Sequence, residues 1–382
     1  MAGRFLSYLQ KNHRYNAAMR NNDTISPAQF DEVFIDDIPM LDVRAPIEFD
    51  KGAFPEAVNL PILNDHERHQ IGIRYKAAGD EAARRLGLQL LGPEGIDARI
   101  SAWHEYLKTK SEAVLYCFRG GDRSRVACDW LAKTGVVVPR VLGGYKALRK
   151  HLLDVYETLP QLILISGKTG CGKTSFLNHF TNAIDLEGIA NHRGSAFGGH
   201  LSPQPSQVDF ENAAAISFLK LRREPEILLE DEGRLIGRIS IPVSLQNRMK
   251  VAPLLVIEEP LDCRADRIFQ EYIMLQWKQY DVYFKKHPDL YFRDYLLNAL
   301  DAIKKRLGGV AHREIRRQML DACQHHDLTD SLELHRRWIK TLLVDYYDPM
   351  YEYQIGKKSD RIKAKDSHVG LIEWYKNAQA NR

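Results

Sequence analysis

The sequence predicts an α/β protein made of two units in series, the second continued by helices. Three observations predict it. The run Ala113-Val114-Leu115-Tyr116 reads as a buried strand that delivers Cys117 to a loop holding Gly120-Gly121, and a helix follows from Arg123 or Ser124. The run Leu162-Ile163-Leu164-Ile165-Ser166 leads in the same way into a glycine-rich turn, 167–174, and another helix. From residue 263 onward the pattern is helical, with Leu296, Leu297, Leu300, Ile303 and Leu307 on one stripe and Lys304, Lys305 and Arg306 outside it.

The 382 residues suffice for two or three domains with ample core. A net charge of +4 announces no global field for a polyanion. The five cysteines (117, 128, 171, 263 and 323) are odd in number and lack metal-ligand spacing, which points to a reducing cytoplasm and against a disulfide framework. No stretch approaches the roughly 20 apolar residues of a membrane span, so no membrane partner is expected. Residues 1–22 carry Arg4, Lys11, Arg14 and Arg20 and no acid, and read as a basic tail.

The first unit is expected over residues 23–158. Met40 to Arg44 is a short strand ending in charge, Pro46 to Phe49 a helical turn opened by proline, and Val58 to Pro61 a second strand. Asn64 to Gly92 is a largely helical insertion whose many charges read as a solvated face. After the Cys117 loop come a helix to Lys133, a strand from Val136 to Leu142 and a helix from Tyr145 to Tyr156. The loop has the means to make a reactive sulfur. Its glycines let backbone N–H groups turn toward Sγ, the helix N-terminus adds partial positive charge, and Arg119 and Arg123 add whole charges. Cys128, on the next helix, reads as a small packing residue rather than a resolving thiol. The pattern LDVRAPIEFDKGAFPEAVNLP together with the later Cys117 resembles the rhodanese (sulfurtransferase) fold, with departures at Ala53 and Glu56. The spacing of Cys117, Arg123 and Ser124 also fits a cysteine-dependent phosphatase, against which stand Tyr116 and the lack of a placed general acid.

The second unit is expected over 159–262. Gly167-Lys168-Thr169-Gly170-Cys171-Gly172-Lys173-Thr174 is a full G-x-x-x-x-G-K-[ST] motif between a strand and a helix running from Ser175 to Ile184, the context a P-loop requires. The amides around Gly167, Gly170 and Gly172 cradle a diphosphate, Lys173 reaches its oxygens, and Thr174 is placed to hold Mg2+. The loop with His192, Arg193 and Ser195 is expected to face phosphates or substrate. Glu226 to Glu230 and Leu235 to Ile241 read as strands, and Leu254 to Glu259 as a strand ending in acid, where Glu258 either holds the metal through water or marks the strand end. No arginine finger or water-positioning glutamine stands out, so nucleotide hydrolysis is not demanded.

Residues 263–382 carry 22 Lys and Arg against 17 Asp and Glu, an excess at least equal to that of the whole chain, with Trp and Tyr interleaved. Arg313, Arg316, Arg317, Arg336 and Arg337 are the expected phosphate contacts if this region binds RNA; the same composition also describes a helical domain with aromatics in its core.

The insertion DHERHQIGIRYKAAGDEAARRLG, the loop YCFRGGDRS, the P-loop, the element HRGSAFGG and the late YYDPMYEYQ together resemble bacterial tRNA 2-selenouridine synthases over roughly residues 25–376. The resemblance implies a rhodanese-like domain followed by a P-loop α/β domain with a helical C-terminal extension. It implies a transferase that acts on the wobble uridine in the tRNA anticodon loop. 2-Thiouridine is S-geranylated with geranyl diphosphate, then selenophosphate supplies selenium and geranyl thiol leaves. No tightly bound cofactor is expected, and an enzyme supplying selenophosphate is an implied partner. Three other readings stay open: a sulfurtransferase or phosphatase-like domain fused to a P-loop NTPase, a P-loop kinase fused to a sulfurtransferase, and a non-catalytic RNA-binding module.

Overall fold

The computed structural model describes residues 24–324 and 328–381, so the basic segment 1–22 lies outside the described residues. The chain divides into two units, one containing residues up to Thr158 together with Ser206–Lys220, the other Leu159–Pro205 with the chain from Leu221 onward.

The first unit has a wholly parallel sheet in the order β1 (Thr24–Ile25), β5 (Arg140–Val141), β4 (Val114–Tyr116), β2 (Met40–Asp42), β3 (Ala57–Asn59). A parallel sheet needs helices on its faces, and β4 is accordingly buried along its whole length. The Asp-Val-Arg element is a buried brace. Asp42 and Arg44, 0 % and 1 % exposed, pair at 2.6 Å. The Arg44 guanidinium also donates to the carbonyls of Glu48 (3.2 Å) and Gly52 (2.9 Å) and lies 3.9 Å from the Tyr145 ring centre. The expected strand Val136–Leu142 shrinks to β5 because Pro139 has no N–H for a ladder. The insertion is longer than the expected 64–92. A helical run covers Asp65–Thr109, jointed at Gly79 (φ 76°) and Gly92 (φ 60°), and its last segment buries Trp103, whose Nε1 donates to the Leu60 carbonyl at 2.9 Å.

A helix not anticipated from the sequence, Gln207–Lys220, completes this unit. It buries Phe210, Ala214 and Phe218. Asn212 donates to the Ala53 carbonyl at 2.7 Å, Asp209 accepts from the Ala53 amide at 2.7 Å, and the Glu211 carbonyl accepts from the Tyr156 hydroxyl at 2.8 Å.

The second unit has a parallel sheet in the order β12 (Ile362–Asp366), β11 (Leu254–Ile257), β6 (Gln161–Gly167), β8 (Glu226–Glu230), β7 (Ala183–Ile184). The helix after the glycine-rich turn ends at Leu177 instead of Ile184. Residues 183–184 are drawn onto the sheet edge as β7, and Asn182 donates to the Glu226 carbonyl and the Tyr375 hydroxyl, both at 2.9 Å. The expected strand Leu235–Ile241 is a hairpin, β9 (Leu235–Ile236) and β10 (Ile239–Ser240), turned at Gly237 (φ 59°).

Residues 263–382 are not a wholly helical appendage. Helices Leu261–Ile268, Leu275–Tyr283, Pro288–Leu307, Gly309–Gln324, Leu328–Leu342 and Asp348–Gly356 intervene between β11 and β12. Much of their surface closes on one core of Phe292, Leu296, Leu300, Ile315, Met319 and Trp338. The chain then returns to the sheet. β12 pairs with β11, and the final helix, His368–Ala380, packs Leu371, Ile372 and Tyr375 against Ile163, Ile165 and Leu255. Among the described residues no helix is long and apolar enough to cross a membrane.

Candidate functional site

Cys117 is the first residue beyond β4, at the carboxyl edge of the parallel sheet where such folds place ligands, and is 3 % exposed. Its thiol donates to Ser124 Oγ at 3.2 Å, and Ser124 donates onward to the Gly121 carbonyl at 3.0 Å. The loop is pinned through its backbone carbonyls. The Tyr145 and Lys146 amides donate to the carbonyls of Cys117 (2.9 Å) and Phe118 (3.0 Å), and Arg140 donates to the carbonyl of Gly120. A Cβ on Gly144 (φ 58°) would stand 2.2 Å from the Cys117 carbonyl oxygen, so that approach requires glycine.

The two arginines expected beside the sulfur part company. Arg123 forms a bidentate pair with Glu48 (2.5 and 3.1 Å), so its charge is compensated. Burial would raise the Glu48 carboxyl, but Arg123, the Ala45 amide and Arg68 hold it below the usual range. Arg119 is exposed and has no ion pair among the described residues. Asp122 is engaged by Arg84 (2.9 Å) and Arg125 (2.5 Å), and Cys128, half-buried, packs against the core with its sulfur 3.8 Å from the Val138 carbonyl. A cavity of about 1260 Å³ opens at Cys117.

In the second unit the P-loop follows β6, with Gly170 (φ 80°) and Gly172 (φ 90°) at its turns. Gly167 packs so close that a Cβ there would lie 2.6 Å from Cys171 Sγ. The loop is held from outside by cations. Arg264 spans the Asp348 carboxylate (2.8 and 2.7 Å) and the Thr169 carbonyl (3.2 Å), and Arg267 donates to the Gly170 carbonyl at 2.5 Å. Lys168 pairs with Glu352 at 2.6 Å. These contacts account for the late YYDPMYEYQ element: Asp348 and Glu352 brace the loop, and the Tyr351 ring centre lies 5.9 Å from Lys173 Nζ. Burial would lower the Lys173 ammonium, but Tyr351, Cys171, Glu232 and Glu187 hold it well above its ordinary value.

The acid that meets Thr174 is not Glu258. Glu258 lies just past β11, points outward and pairs with Lys365 at 2.8 Å. The Thr174 hydroxyl donates to Glu230, the last residue of β8, at 2.5 Å. Glu230 is fully buried, and its Oε2 has no hydrogen-bond partner. Oxygens of Glu187, Glu230 and Glu232 lie within 4.8 Å of one another. Burial first, then the neighbouring carboxylates, push Glu187 up to about 10; burial pushes Glu230 up to about 7 against the pull of Lys173. Three clustered carboxylates, one of them with an orphaned buried oxygen, are a donor set suited to a hard divalent cation. Sequence reasoning missed this trio; the signal was an acid at the end of each of two flanking strands, and only the second was weighed.

The loop at 191–199 lies over these carboxylates. A Cβ on Gly194 (φ 65°) would fall 2.1 Å from Glu187 Oε1 and 3.1 Å from Glu232 Oε2. Arg193 stands 5.3 Å from the Tyr272 ring centre and donates to Gln276 at 3.3 Å, and Ser195 donates to the Tyr272 hydroxyl at 3.4 Å. His192 Nδ1 accepts from the Gly194 amide at 3.1 Å, and burial beside Arg193 holds its imidazole below the usual range.

The arginines expected to meet RNA divide as well. Arg317 pairs with Glu314 and Asp321, and Arg336 with Asp266 and Glu333. Arg313 and Arg337 are exposed and Arg316 half-buried, and none of the three has an ion pair among the described residues. Most of the interleaved aromatics, including Tyr280, Phe292, Trp338 and Tyr347, belong to the helical core.

Residues 160–382 match the family model described as the tRNA 2-selenouridine synthase AAA domain. The chain is 45% identical to the tRNA 2-selenouridine synthase of Marinobacter nauticus over 90% of its own length and 95% of that protein. It is 45% identical to that of Alcanivorax borkumensis (88% and 95% covered) and 44% identical to that of Shewanella oneidensis (93% and 96% covered). With a family model matched over more than half of its length and relatives aligned through both units, the chain belongs to the tRNA 2-selenouridine synthase family.

Proposed function

We propose that this chain replaces the 2-thio sulfur of wobble uridine in tRNA with selenium, in two steps. In the first, the thiouridine sulfur attacks geranyl diphosphate, its C–O bond breaks and diphosphate leaves. In the second, the selenium of selenophosphate replaces geranyl thiol at C2, and water cleaves the P–Se bond to release phosphate. The observation that carries this reading is the 45% identity to synthases of that name across nine-tenths of the chain.

The two sites suit different parts of the chemistry. We read the first unit as rhodanese-like, with Cys117 as the nucleophile that displaces geranyl thiol at C2 and is itself displaced by selenium, and Arg119 as an exposed charge of its loop; the parallel sheet delivering a pinned cysteine loop supports this. The P-loop grips the diphosphate through its amides around Gly170 and Gly172 and through Lys173, which stabilises the leaving group. Thr174, Glu230, Glu187 and Glu232 would hold Mg2+, which supplies charge neutralisation to the departing diphosphate. Arg313, Arg316 and Arg337 are read as phosphate contacts to tRNA, and the cytoplasm, where tRNA and a selenophosphate-forming enzyme would be met, as the place of action.

Nucleoside mass spectrometry of tRNA from cells with and without the protein tests this. 2-Selenouridine should appear only with it. Binding of tRNA with no change in nucleoside mass would leave an RNA-binding module, and ATP turnover without tRNA modification would leave a P-loop kinase.

A further inference from the structure

The cavity beside Cys117, about 1260 Å³, is far larger than an inorganic selenium donor or a bare pyrimidine requires. Its walls are largely apolar. Ile71, Ile73, Leu88 and Leu91 come from the helical insertion, and Val126 and Trp130 from the helix that follows the cysteine loop. Ile73 and Leu88 are 57 % and 52 % exposed, large aliphatic side chains bordering open space rather than buried in core. An apolar wall of that size around a reactive residue marks a site for an apolar ligand group. Its rim is cationic: Lys51, Lys76 and Arg119 line the same space and have no ion pair among the described residues.

We propose that this cavity seats the geranyl chain of S-geranyl-2-thiouridine RNA during selenium transfer, so that the first unit selects the alkylated nucleoside over the plain thiouridine. It rests on the two-step reading above. The occupant follows from chemistry on both sides of the wall. Cys117 at the cavity is where C2 of the base must come. A chain without hydrogen-bonding groups, attached through sulfur to that carbon, then extends along Ile71, Ile73 and Leu88, while the RNA phosphates meet Lys51, Lys76 and Arg119. Unmodified 2-thiouridine has nothing to bury against those side chains. The apolar space in the P-loop unit lined by Thr169, Ser195, Phe197 and Trp338 is far smaller, about 30 Å³.

The test uses the full chain and an anticodon stem-loop RNA carrying either S-geranyl- or S-methyl-2-thiouridine, with affinity read by fluorescence anisotropy. The wild type should bind the geranyl RNA at least about tenfold more tightly, the scale of a few buried methylenes. Leu88→Glu, which puts charge in the wall, and Leu88→Trp, which fills the space, should each abolish that preference at an unchanged melting temperature; Ile73→Glu repeats the test should either Leu88 variant fail to fold. Equal affinity for the two RNAs in the wild type, or a preference that survives these substitutions but vanishes in Lys173→Ala, would overturn the proposal. Incubating the same geranyl RNA with selenophosphate separates the two questions. If 2-selenouridine forms although the preference is absent, the two-step reading stands and the cavity assignment falls. If none forms, that reading falls, and the affinity ratio still decides what the cavity binds.

Discussion

Replacing Glu230 with glutamine should stabilise the metal-free protein at alkaline pH. Glu230 is fully buried, one oxygen accepts from Thr174 and the other has no partner. Burial pushes its carboxyl from 4.5 up to about 7, against the pull of Lys173 and Thr174 and with the push of Asp185 and Glu232. Between those two pH values the folded chain keeps a proton that the unfolded chain has released, so stability falls as pH rises through this window, and the loss is complete above it. A displacement of that size corresponds to roughly 3 kcal/mol. Glutamine keeps the shape and the acceptor for Thr174 but carries no charge. At pH 8 without divalent ions, Glu230→Gln should therefore unfold at a higher temperature than the wild type, by about 6–12 °C at 2–4 °C per kcal/mol. At pH 4.5 the two should coincide. Saturating Mg2+ should restore the wild type by about 2.7 kcal/mol at a hundredfold excess over Kd, and should help the variant less. The assay is thermal denaturation followed by circular dichroism at both pH values, with EDTA or Mg2+. A variant that melts below the wild type at pH 8 in EDTA, or equal Mg2+ stabilisation of both proteins, would refute both the strained carboxylate and its metal.

Lys173→Ala should slow geranyl transfer to 2-thiouridine by on the order of a hundredfold, about 3 kcal/mol, yet still convert tRNA already carrying the S-geranyl group. Cys117→Ser should do the reverse and accumulate geranylated tRNA; nucleoside mass spectrometry reads both, and loss of both steps in both folded variants would mean one composite centre. Replacing Arg313, Arg316 and Arg337 together with Ala should flatten the dependence of tRNA affinity on salt by about 0.7–0.9 in log K per log salt for each lost contact. A titration slope that does not change would put the RNA on other cations.

The two glycine loops were legible in the sequence because their constraints are local. A strand, a turn needing positive φ and a helix are written in consecutive residues, and Cys117 and Lys173 stand where those patterns put them. What was not legible depends on partners distant in sequence. Glu258 reads as a metal ligand or the mark of a strand end, but β12 carries Lys365 beside β11, where it neutralises that carboxylate. Glu230 reads as the polar end of a strand, and only the sheet order shows it meeting Thr174. Arg123 reads as a free charge near the thiol until Glu48, 75 residues earlier, is seen to hold it. Aromatics spaced along amphipathic helices look alike whether they stack on bases or on each other, and here Trp277 stands 5.5 Å from Phe292, ring centre to ring centre.

The helix Gln207–Lys220 has a consequence for how the chain is made. The first unit lacks this helix until residue 220 has left the ribosome, although its remaining strands and helices end at Val155. At about 5–20 residues per second the wait is several seconds. During that interval Phe210, Ala214 and Phe218 have yet to cover their part of the core, and the Ala53 amide and carbonyl have yet to find Asp209 and Asn212. Meanwhile β6 and the P-loop have already been synthesised. The nascent chain thus holds its first module unfinished while the second is begun. A gene cut after codon 158 would encode an open-faced fragment prone to capture by chaperones, whereas a polypeptide ending just beyond residue 220 would carry every segment of the first module.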